Sequence, residues 1–331
     1  MTNKKFKLAA MSLATAVAVS AVGPSASAVT YQLEKGDVTV GQDGTGAYSY
    51  QNQTDGKTDN VYVDQDTQNN GQIIITQAEG TKTDNTVTVE EDVTNDKGKR
   101  DVDIILDGVN VDTSDTSTQT DTPTEVPADA KEDKTIIKVG EGAKVDLTVK
   151  DSNLTTGGNG IDIGVNLKGE DENKGANVDL TLDNTKVNLT QNGKAGINVQ
   201  DNSDVNLTLK GENAIDGSKA IENEDLKKNV NVEGIRVGGG GAGDGSGASE
   251  GAKTHLTISG GVEKTETAEA DTEETESPAG GSLTISKTTG GLVMADGSDV
   301  EITDGADVTI EDTKTSSSTQ AGRAVTQHGD L

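Results

Sequence analysis

The chain has no cysteine and no tryptophan, and aromatic residues make up only 2% of its 331 residues. Without cysteine no disulfide can cross-link the fold, so stability has to come from packing or from metal binding. Because aromatic side chains normally supply large buried areas, a conventional aromatic core is also excluded. Apart from Phe6, the aromatic residues are four tyrosines, and none lies beyond Tyr62.

Basic residues are scarce as well. Lysine and arginine together number 28 against 57 acidic residues, which gives a formal net charge of -29. Such a chain repels the phosphates of nucleic acids and the head groups of anionic membranes, and it lacks aromatic platforms on which bases stack. Nucleic acids and anionic membranes are therefore excluded as expected partners.

The N-terminus has the pattern of an export signal. Lys4, Lys5 and Lys7 precede an apolar stretch at residues 8–22, and Ala26–Ala28 reads Ala-Ser-Ala. This pattern predicts a signal peptide over residues 1–28, cleaved between Ala28 and Val29. The alternative is a membrane anchor, for which the stretch is short, since a spanning helix needs ~20 apolar residues. No second apolar stretch follows, so we expect a secreted or extracellular mature chain without membrane insertion.

An internal repeat dominates the rest of the chain. Each copy opens with apolar and polar residues in strict alternation, as in Val145, Leu147 and Val149, which predicts a half-buried strand. A polar corner and a second short apolar pair follow, and another short strand lies upstream. The four copies read VDIILDGVNVD from Val102, VDLTVKDSNLT from Val145, VDLTLDNTKVN from Val178 and VNLTLKGENAI from Val205.

Self-similarity at this period predicts a solenoid or a propeller. Propeller blades need longer strands, whereas three short aliphatic strands per repeat predict an all-β, right-handed parallel β-helix. We expect residues 29–85 to form an N-terminal cap and the first rungs, and residues 86–331 to form the repeats. Two acidic, threonine-rich inserts at 112–134 and 263–280 lack an apolar period, which predicts disordered loops at rung corners.

Asparagines recur at one corner of the repeat. Asn110, Asn153 and Asn213 each lie eight residues after the first valine of a copy, although Lys186 occupies this place in the Val178 copy. If the rungs stack in register, the three side chains form an amide ladder that satisfies backbone groups. The alternative is that asparagine is simply a common turn residue.

The chain stops inside a repeat. Its last residues, AGRAVTQHGDL, align without a gap with AGINVQDNSDV at residues 195–205. Stacked repeats need a terminal cap, so this alignment predicts a fragment of a longer protein, with any cell-surface attachment in a missing C-terminal part. The alternative is a partner that completes the last rung.

The segments LTLKGEN, AGINV, EGIRVGGGG and LTISGGV resemble a known family. These are the repeat-rich, adhesin-like surface proteins of Gram-positive gut bacteria, described as carbohydrate-binding-domain-containing or pectate-lyase-like β-helix proteins. The likeness covers roughly residues 86–331. It implies a β-helix at the cell surface that binds a polysaccharide or a host or bacterial surface glycan, but β-helices also carry lyases, hydrolases and passive scaffolds.

No catalytic constellation is evident in the sequence, so we expect a non-catalytic, adhesin-like protein. The alternatives are a lyase or hydrolase acting on acidic polysaccharide and a passive surface stalk. A lyase needs a base, and Arg236 is the one arginine in a strand-like segment, but we interpret it as a solvated outer-face residue. His255 and His328 lie far apart and are interpreted as outward-facing positions.

No cofactor is predicted. Calcium is the ion that stacked Asp and Asn corners would favour, because they supply hard oxygen ligands. Neither the EF-hand pattern nor the nonapeptide glycine-aspartate pattern is present. The alternative is that the acidic surface serves solubility alone.

Overall fold

A computed structural model describes the part of the chain that carries the repeat. The described residues are 29–41, 46–51, 58–62, 72–93, 102–114, 134–169, 174–222, 231–239, 252–261, 280–303, 305–313 and 323–327. The predicted signal segment 1–28, most of both acidic inserts and His328 lie outside these residues, so those predictions are not addressed by the structure.

The described strands, numbered β1–β24 in chain order, form three sheets. The first sheet contains β1 (Val29–Gln32), β5 (Ile73–Thr76), β7 (Val102–Asp107), β10 (Lys144–Lys150), β13 (Asn177–Asp183), β16 (Asp204–Lys210), β19 (Thr254–Gly260) and β22 (Ser298–Thr303). The second sheet contains β8 (Asn110–Asp112), β11 (Asn153–Thr156), β14 (Lys186–Leu189), β17 (Glu212–Asp216), β20 (Ser282–Ser286) and β23 (Asp307–Glu311).

The third sheet contains β2 (Val38–Val40), β3 (Gly46–Gln51), β4 (Thr58–Tyr62), β6 (Val87–Val89), β9 (Ile137–Gly140), β12 (Ile161–Val165), β15 (Lys194–Val199), β18 (Val232–Val237), β21 (Gly290–Met294) and β24 (Arg323–Gln327). From β7 onward, three consecutive strands make one rung, with one strand in each sheet. Every pairing between successive rungs is parallel among the described strands. This arrangement confirms the predicted parallel β-helix.

The N-terminal end differs from the rest of the stack. β2 pairs in parallel with β6 on one side and antiparallel with β3 on the other, and β3 pairs antiparallel with β4. The hairpin formed by β3 and β4 therefore covers the β2 edge of the third sheet. Among the described residues, two short helices interrupt the strands, a 3-10 helix at Leu33–Lys35 and α1 at Ser218–Glu222.

The core is built from columns of identical or similar aliphatic residues. One column of the first sheet is at most 1% exposed and consists of Ile104, Leu147, Leu180, Leu207 and Ile258. Each such side chain contributes about 1.5–3 kcal/mol when fully buried. In the last described rung the burial declines, since Ile302, the next member of the column, is 50% exposed.

Glycines bring the second and third sheets into close contact. A Cβ atom on Gly196 would lie 2.6 Å from Cγ2 of Ile215 and 2.8 Å from the carbonyl oxygen of Gly234. The same crowding occurs at Gly234, where a Cβ would lie 2.3 Å from Cγ2 of Ile285. This contact explains why the pattern Gly, apolar, any residue, apolar occurs in β15, β18 and β21 and, starting at Gly160 just before the strand, at β12.

Candidate functional site

The outward side of the first sheet carries two polar columns, which we call the ladder face. Strand pairing places one set of side chains in a hydroxyl column, made of Thr148, Thr181, Thr208, Ser259 and Thr303. Beside it runs a second column, which we call the carboxylate column, made of Asp103, Asp146, Asp179, Asn206, Thr257 and Glu301. Neighbouring members of a column lie about 4.8 Å apart, the spacing of paired strands.

Hydrogen bonds between amides and carboxylates run along the carboxylate column. Asn206 donates from Nδ2 to Oδ1 of Asp179 over 2.8 Å, and Gln72 donates from Nε2 to Oδ2 of Asp103 over 2.8 Å. Burial raises the pKa of the Asp103 carboxyl, and the hydrogen bond from Gln72 partly offsets that effect. The carboxylates repel anions, while the half-buried threonines beside them offer hydroxyl groups that both donate and accept.

The structure places the three predicted ladder asparagines in two different settings. Asn153 lies directly opposite Asn110 and donates to it, with 3.3 Å between Nδ2 and Oδ1. Asn188 donates to Asn153 over 2.9 Å. Asn213 does not join this column, because Lys186 is paired with Ala214 instead.

Asn213 instead is 3% exposed and bridges backbone groups of different strands. Its Oδ1 accepts from the backbone N–H of Thr185 over 2.9 Å, and its Nδ2 reaches carbonyl oxygens of Leu182, Lys210 and Ser282 at 3.3, 3.0 and 3.1 Å. It therefore satisfies backbone groups at the corner, but as an inward-facing clamp and not as part of an exposed ladder.

The different orientation of Asn213 follows from one extra residue. The corner residues Gly108, Asp151, Asn184 and Gly211 all have positive φ and all lie six residues after the first valine of their copy. In the earlier copies, the residues that pair with one another at the start of the second-sheet strand lie two positions after the corner residue, as Asn153 and Lys186 do. In the Val205 copy the residue that pairs with Lys186 is Ala214, three positions after the corner residue. A one-residue shift reverses the side of the strand to which a side chain points.

A second polar arrangement lies on the outward side of the third sheet, and we call it the buried row. Pairing places Asp162, Asn198 and Arg236 side by side on β12, β15 and β18. They are 7%, 5% and 5% exposed, and Glu233 beside them is 3% exposed. The interpretation of Arg236 as solvated is therefore wrong, because it is buried and ion-paired with Glu233.

The sequence contains a signal for the outward orientation of the buried row, but not for its burial. Asp162, Asn198 and Arg236 occupy the variable position of the shared pattern of Gly, apolar residue, variable residue, apolar residue. The pattern marks them as outward-facing, because the apolar residues on both sides face the core. It does not reveal that they are buried, because burial of an outward side depends on chain that packs over it.

Two stacked glutamates mark a corner between the third and first sheets. Glu91 accepts from the backbone N–H of Lys168 over 2.8 Å and lies 3.2 Å from its Nζ atom. Burial alone would raise the pKa of Glu91, but the bonds and charge of Lys168 outweigh it and hold that pKa below its ordinary value. Burial raises the pKa of the Glu141 carboxyl, and the Glu91 charge adds to the effect, against an opposing hydrogen bond from Lys174.

Neither a cluster of three acidic or histidine ligands nor a long apolar helix occurs among the described residues. Within this part of the chain, no helix has the length and apolar character to cross a bilayer. His255 is 3.3 Å from Asp299 through Nδ1 and 3.0 Å from the Thr257 hydroxyl through Nε2.

Comparison with known proteins leaves the family open. No family model matches the sequence, and no curated protein or solved structure matches it either. The fold is therefore defined by the chain's own pairing, and the resemblance to adhesin-like surface proteins stays a prediction.

Proposed function

We propose that this protein is a non-catalytic, secreted or cell-surface β-helix that binds carbohydrate through the ladder face. The observation that supports this function is the in-register hydroxyl column, in which Thr148, Thr181 and Thr208 lie on three consecutive paired strands. A polysaccharide is itself a regular array of hydroxyl groups, so a column of equally spaced hydroxyls can make the same hydrogen bonds repeatedly along it. Many weak contacts of this kind add up through multivalency.

The charge of the ladder face favours a neutral glycan. Asp146 and Asp179 lie beside Thr148 and Thr181 on adjacent strands, and Asp103 extends the carboxylate column by one strand, where its neighbour is Ile105. Their carboxylates attract sugar hydroxyls as hydrogen-bond donors but repel uronate or sulfate groups. With a net charge of -29, long-range electrostatics acts in the same direction. The alternatives are an enzyme that acts on acidic polysaccharide and a passive surface stalk.

The test is retention of the protein on a panel of neutral and acidic plant and mucin polysaccharides, each with Ca²⁺ and with EDTA. We expect retention on at least one neutral polymer and weak retention on polyuronates. Loss of retention in EDTA would add calcium to the mechanism. Retention on no polymer would refute carbohydrate binding and favour the stalk, and release of reducing ends from an acidic polymer would favour the enzyme.

A pair of variants assigns any binding to the ladder face. The double variant Thr181→Val and Thr208→Val removes two adjacent hydroxyls while keeping the β-branched shape that strands prefer. We expect it to weaken retention roughly tenfold, since each hydrogen bond contributes ~0.5–1.5 kcal/mol. Thr284→Val is the matched control, because Thr284 is a similarly half-buried, outward threonine on the second sheet. An equal effect of the control would refute the assignment.

A further inference from the structure

The hydroxyl column of the ladder face crosses five successive strands of the first sheet. Its members pair directly from strand to strand without a register shift, from β10 through β13, β16 and β19 to β22. All five side chains are half-buried, so each hydroxyl lies at the surface while its stem is packed. Four spacings of about 4.8 Å make the column about 19 Å long. The described members are Thr148, Thr181, Thr208, Ser259 and Thr303.

The column ends at an apolar step towards the N-terminus. The residue paired with Thr148 on β7 is Ile105, and the residue paired with Ile105 on β5 is Ile74. Both isoleucines point outward, because their neighbours along the strands belong to the core, and both are half-buried. A ligand hydroxyl placed over an isoleucine would lose its hydrogen bonds to water without replacement. Hydrogen bonding along the column therefore stops before Ile105.

The carboxylate column runs beside the hydroxyl column at a fixed distance. Asp146 and Thr148 are two residues apart on β10, and Asp179 and Thr181 are two residues apart on β13, which separates the columns by about 7 Å. This separation is close to the width of a pyranose ring with its hydroxyl groups. A flat glycan chain lying along the columns would thus meet carboxylate acceptors on one edge and hydroxyls on the other.

The spacing of the column selects among neutral glycans by their shape. In a fully extended β-1,4-linked chain, each sugar ring advances the chain by close to one strand spacing and presents hydroxyl groups along the edges of a flat ribbon. An α-1,4-linked chain coils, so its successive rings turn away from a line. Only an extended chain can therefore place one ring at each rung of the column.

We infer that the ladder face binds an extended, β-linked neutral glycan that runs along the stack with one sugar ring per rung. This inference rests on the proposed function of the ladder face and narrows its ligand class. Each ring adds its own hydrogen bonds, so affinity increases with chain length until the column is filled. Coiled α-linked glycans make contact at only a few rungs and bind weakly.

A series of oligosaccharides of increasing length tests the inference by isothermal titration calorimetry. The β-1,4-linked probes are cello-, manno- and xylo-oligosaccharides of two to six rings, and the α-1,4-linked controls are malto-oligosaccharides of the same lengths. For at least one β-linked series we expect affinity to rise roughly two- to tenfold per ring, as one added hydrogen bond predicts, up to about five rings. Malto-oligosaccharides should bind weakly at every length.

Lengthening the column by one hydroxyl provides a gain-of-affinity test. Ile105→Thr places a hydroxyl on the strand next to Thr148 and keeps a β-branched side chain. We expect this variant to bind the six-ring probe roughly two- to tenfold more tightly than the parent and the three-ring probe about equally. Ile74→Thr is the matched control, because it makes the same change on the same face but leaves Ile105 between the new hydroxyl and the column.

The outcomes separate this inference from the function on which it rests. If neutral polymers retain the protein but maltohexaose binds as tightly as the β-linked hexamers, the shape argument is wrong and carbohydrate binding stands. Affinity that levels off at two or three rings would indicate a single small site and refute one ring per rung. An equal gain from Ile105→Thr and Ile74→Thr, or no gain from either, would refute the column as the binding element. Absence of binding to every polymer and oligosaccharide would overturn the proposed function and this inference together.

Discussion

Replacing Asn213 by alanine should destabilise the protein far more than the same change at Asn153. Both asparagines follow the first valine of a repeat copy by eight residues. Asn213 is 3% exposed and makes four hydrogen bonds to backbone groups, whereas the side chain of Asn153 is exposed and bonds to the side chains of Asn110 and Asn188. The pair therefore compares one residue type in an inward and an outward setting.

The magnitude follows from the groups that lose a partner. Asn213→Ala leaves the buried N–H of Thr185 without an acceptor, which costs about 1–3 kcal/mol. The carbonyl oxygens of Lys210 and Ser282 each lose a donor, and the truncated side chain leaves a small void. Together these effects predict a loss of about 2–4 kcal/mol. Water replaces the lost bonds of Asn153, so Asn153→Ala should stay within about 0.5 kcal/mol of the parent.

Urea unfolding followed by far-ultraviolet circular dichroism measures both variants, since the chain has no tryptophan. The unfolding midpoint and its slope give the free energy of unfolding for each protein. A loss below about 0.5 kcal/mol for Asn213→Ala would refute the clamp, because a buried bridge of backbone groups cannot be removed without cost. A loss at Asn153 equal to that at Asn213 would show that the exposed column carries stability too.

Four further predictions use the same assay. Glu91→Gln should lower stability at pH 7, and the deficit should vanish as the pH falls through the lowered folded pKa of Glu91, since its charge stabilises the fold only above the ordinary value of about 4.3. Glu141→Gln should raise the free energy of unfolding at pH 7 and leave it unchanged well below the ordinary glutamate pKa. The pKa of Glu141 is raised, so its protonated carboxyl stabilises the fold at low pH and this contribution is lost as the pH rises. An equal response of the two glutamine variants at both pH values would contradict this reasoning. Gly196→Ala should lower the free energy of unfolding by about 1–3 kcal/mol, because the added Cβ would lie 2.6 Å from a side-chain carbon of the second sheet. An unchanged unfolding midpoint would mean that the two sheets can move apart without cost. Ile258→Ala should cost about 2–5 kcal/mol and Ile302→Ala less than half as much, because the two residues share a column but are 1% and 50% exposed.

The sequence was sufficient to predict the strands and their stacking. Alternation at Val145, Leu147 and Val149 recurs at Val178 and Val205, and the structure pairs these copies residue by residue. Such recurrence specifies register, because any slip would turn aliphatic side chains outward. The Asn213 corner shows the limit of this reasoning. Glycine, asparagine and aspartate all suit the left-handed corner position, but they do not determine how many residues separate the corner from the next strand.

Burial of outward-facing residues was harder to predict. The sequence places Arg236 on the outward side of a strand, and a lone arginine there is normally solvated. Its actual environment depends on Glu233, three residues earlier, and on Asn198, which is 38 residues away and lies opposite it through the pairing of β15 with β18. Only the register between rungs brings these residues together, so the local sequence could not have identified the buried row.

The carboxylates of the ladder face make the proposed preference for neutral glycans sensitive to salt. Asp146 and Asp179 are exposed on adjacent strands and repel anions. Salt screens such a repulsion, since the Debye length falls from ~8 Å at physiological ionic strength to ~3 Å at 1 M. Discrimination against a polyuronate should therefore weaken at high salt, and discrimination that persists unchanged there would contradict the role of these carboxylates.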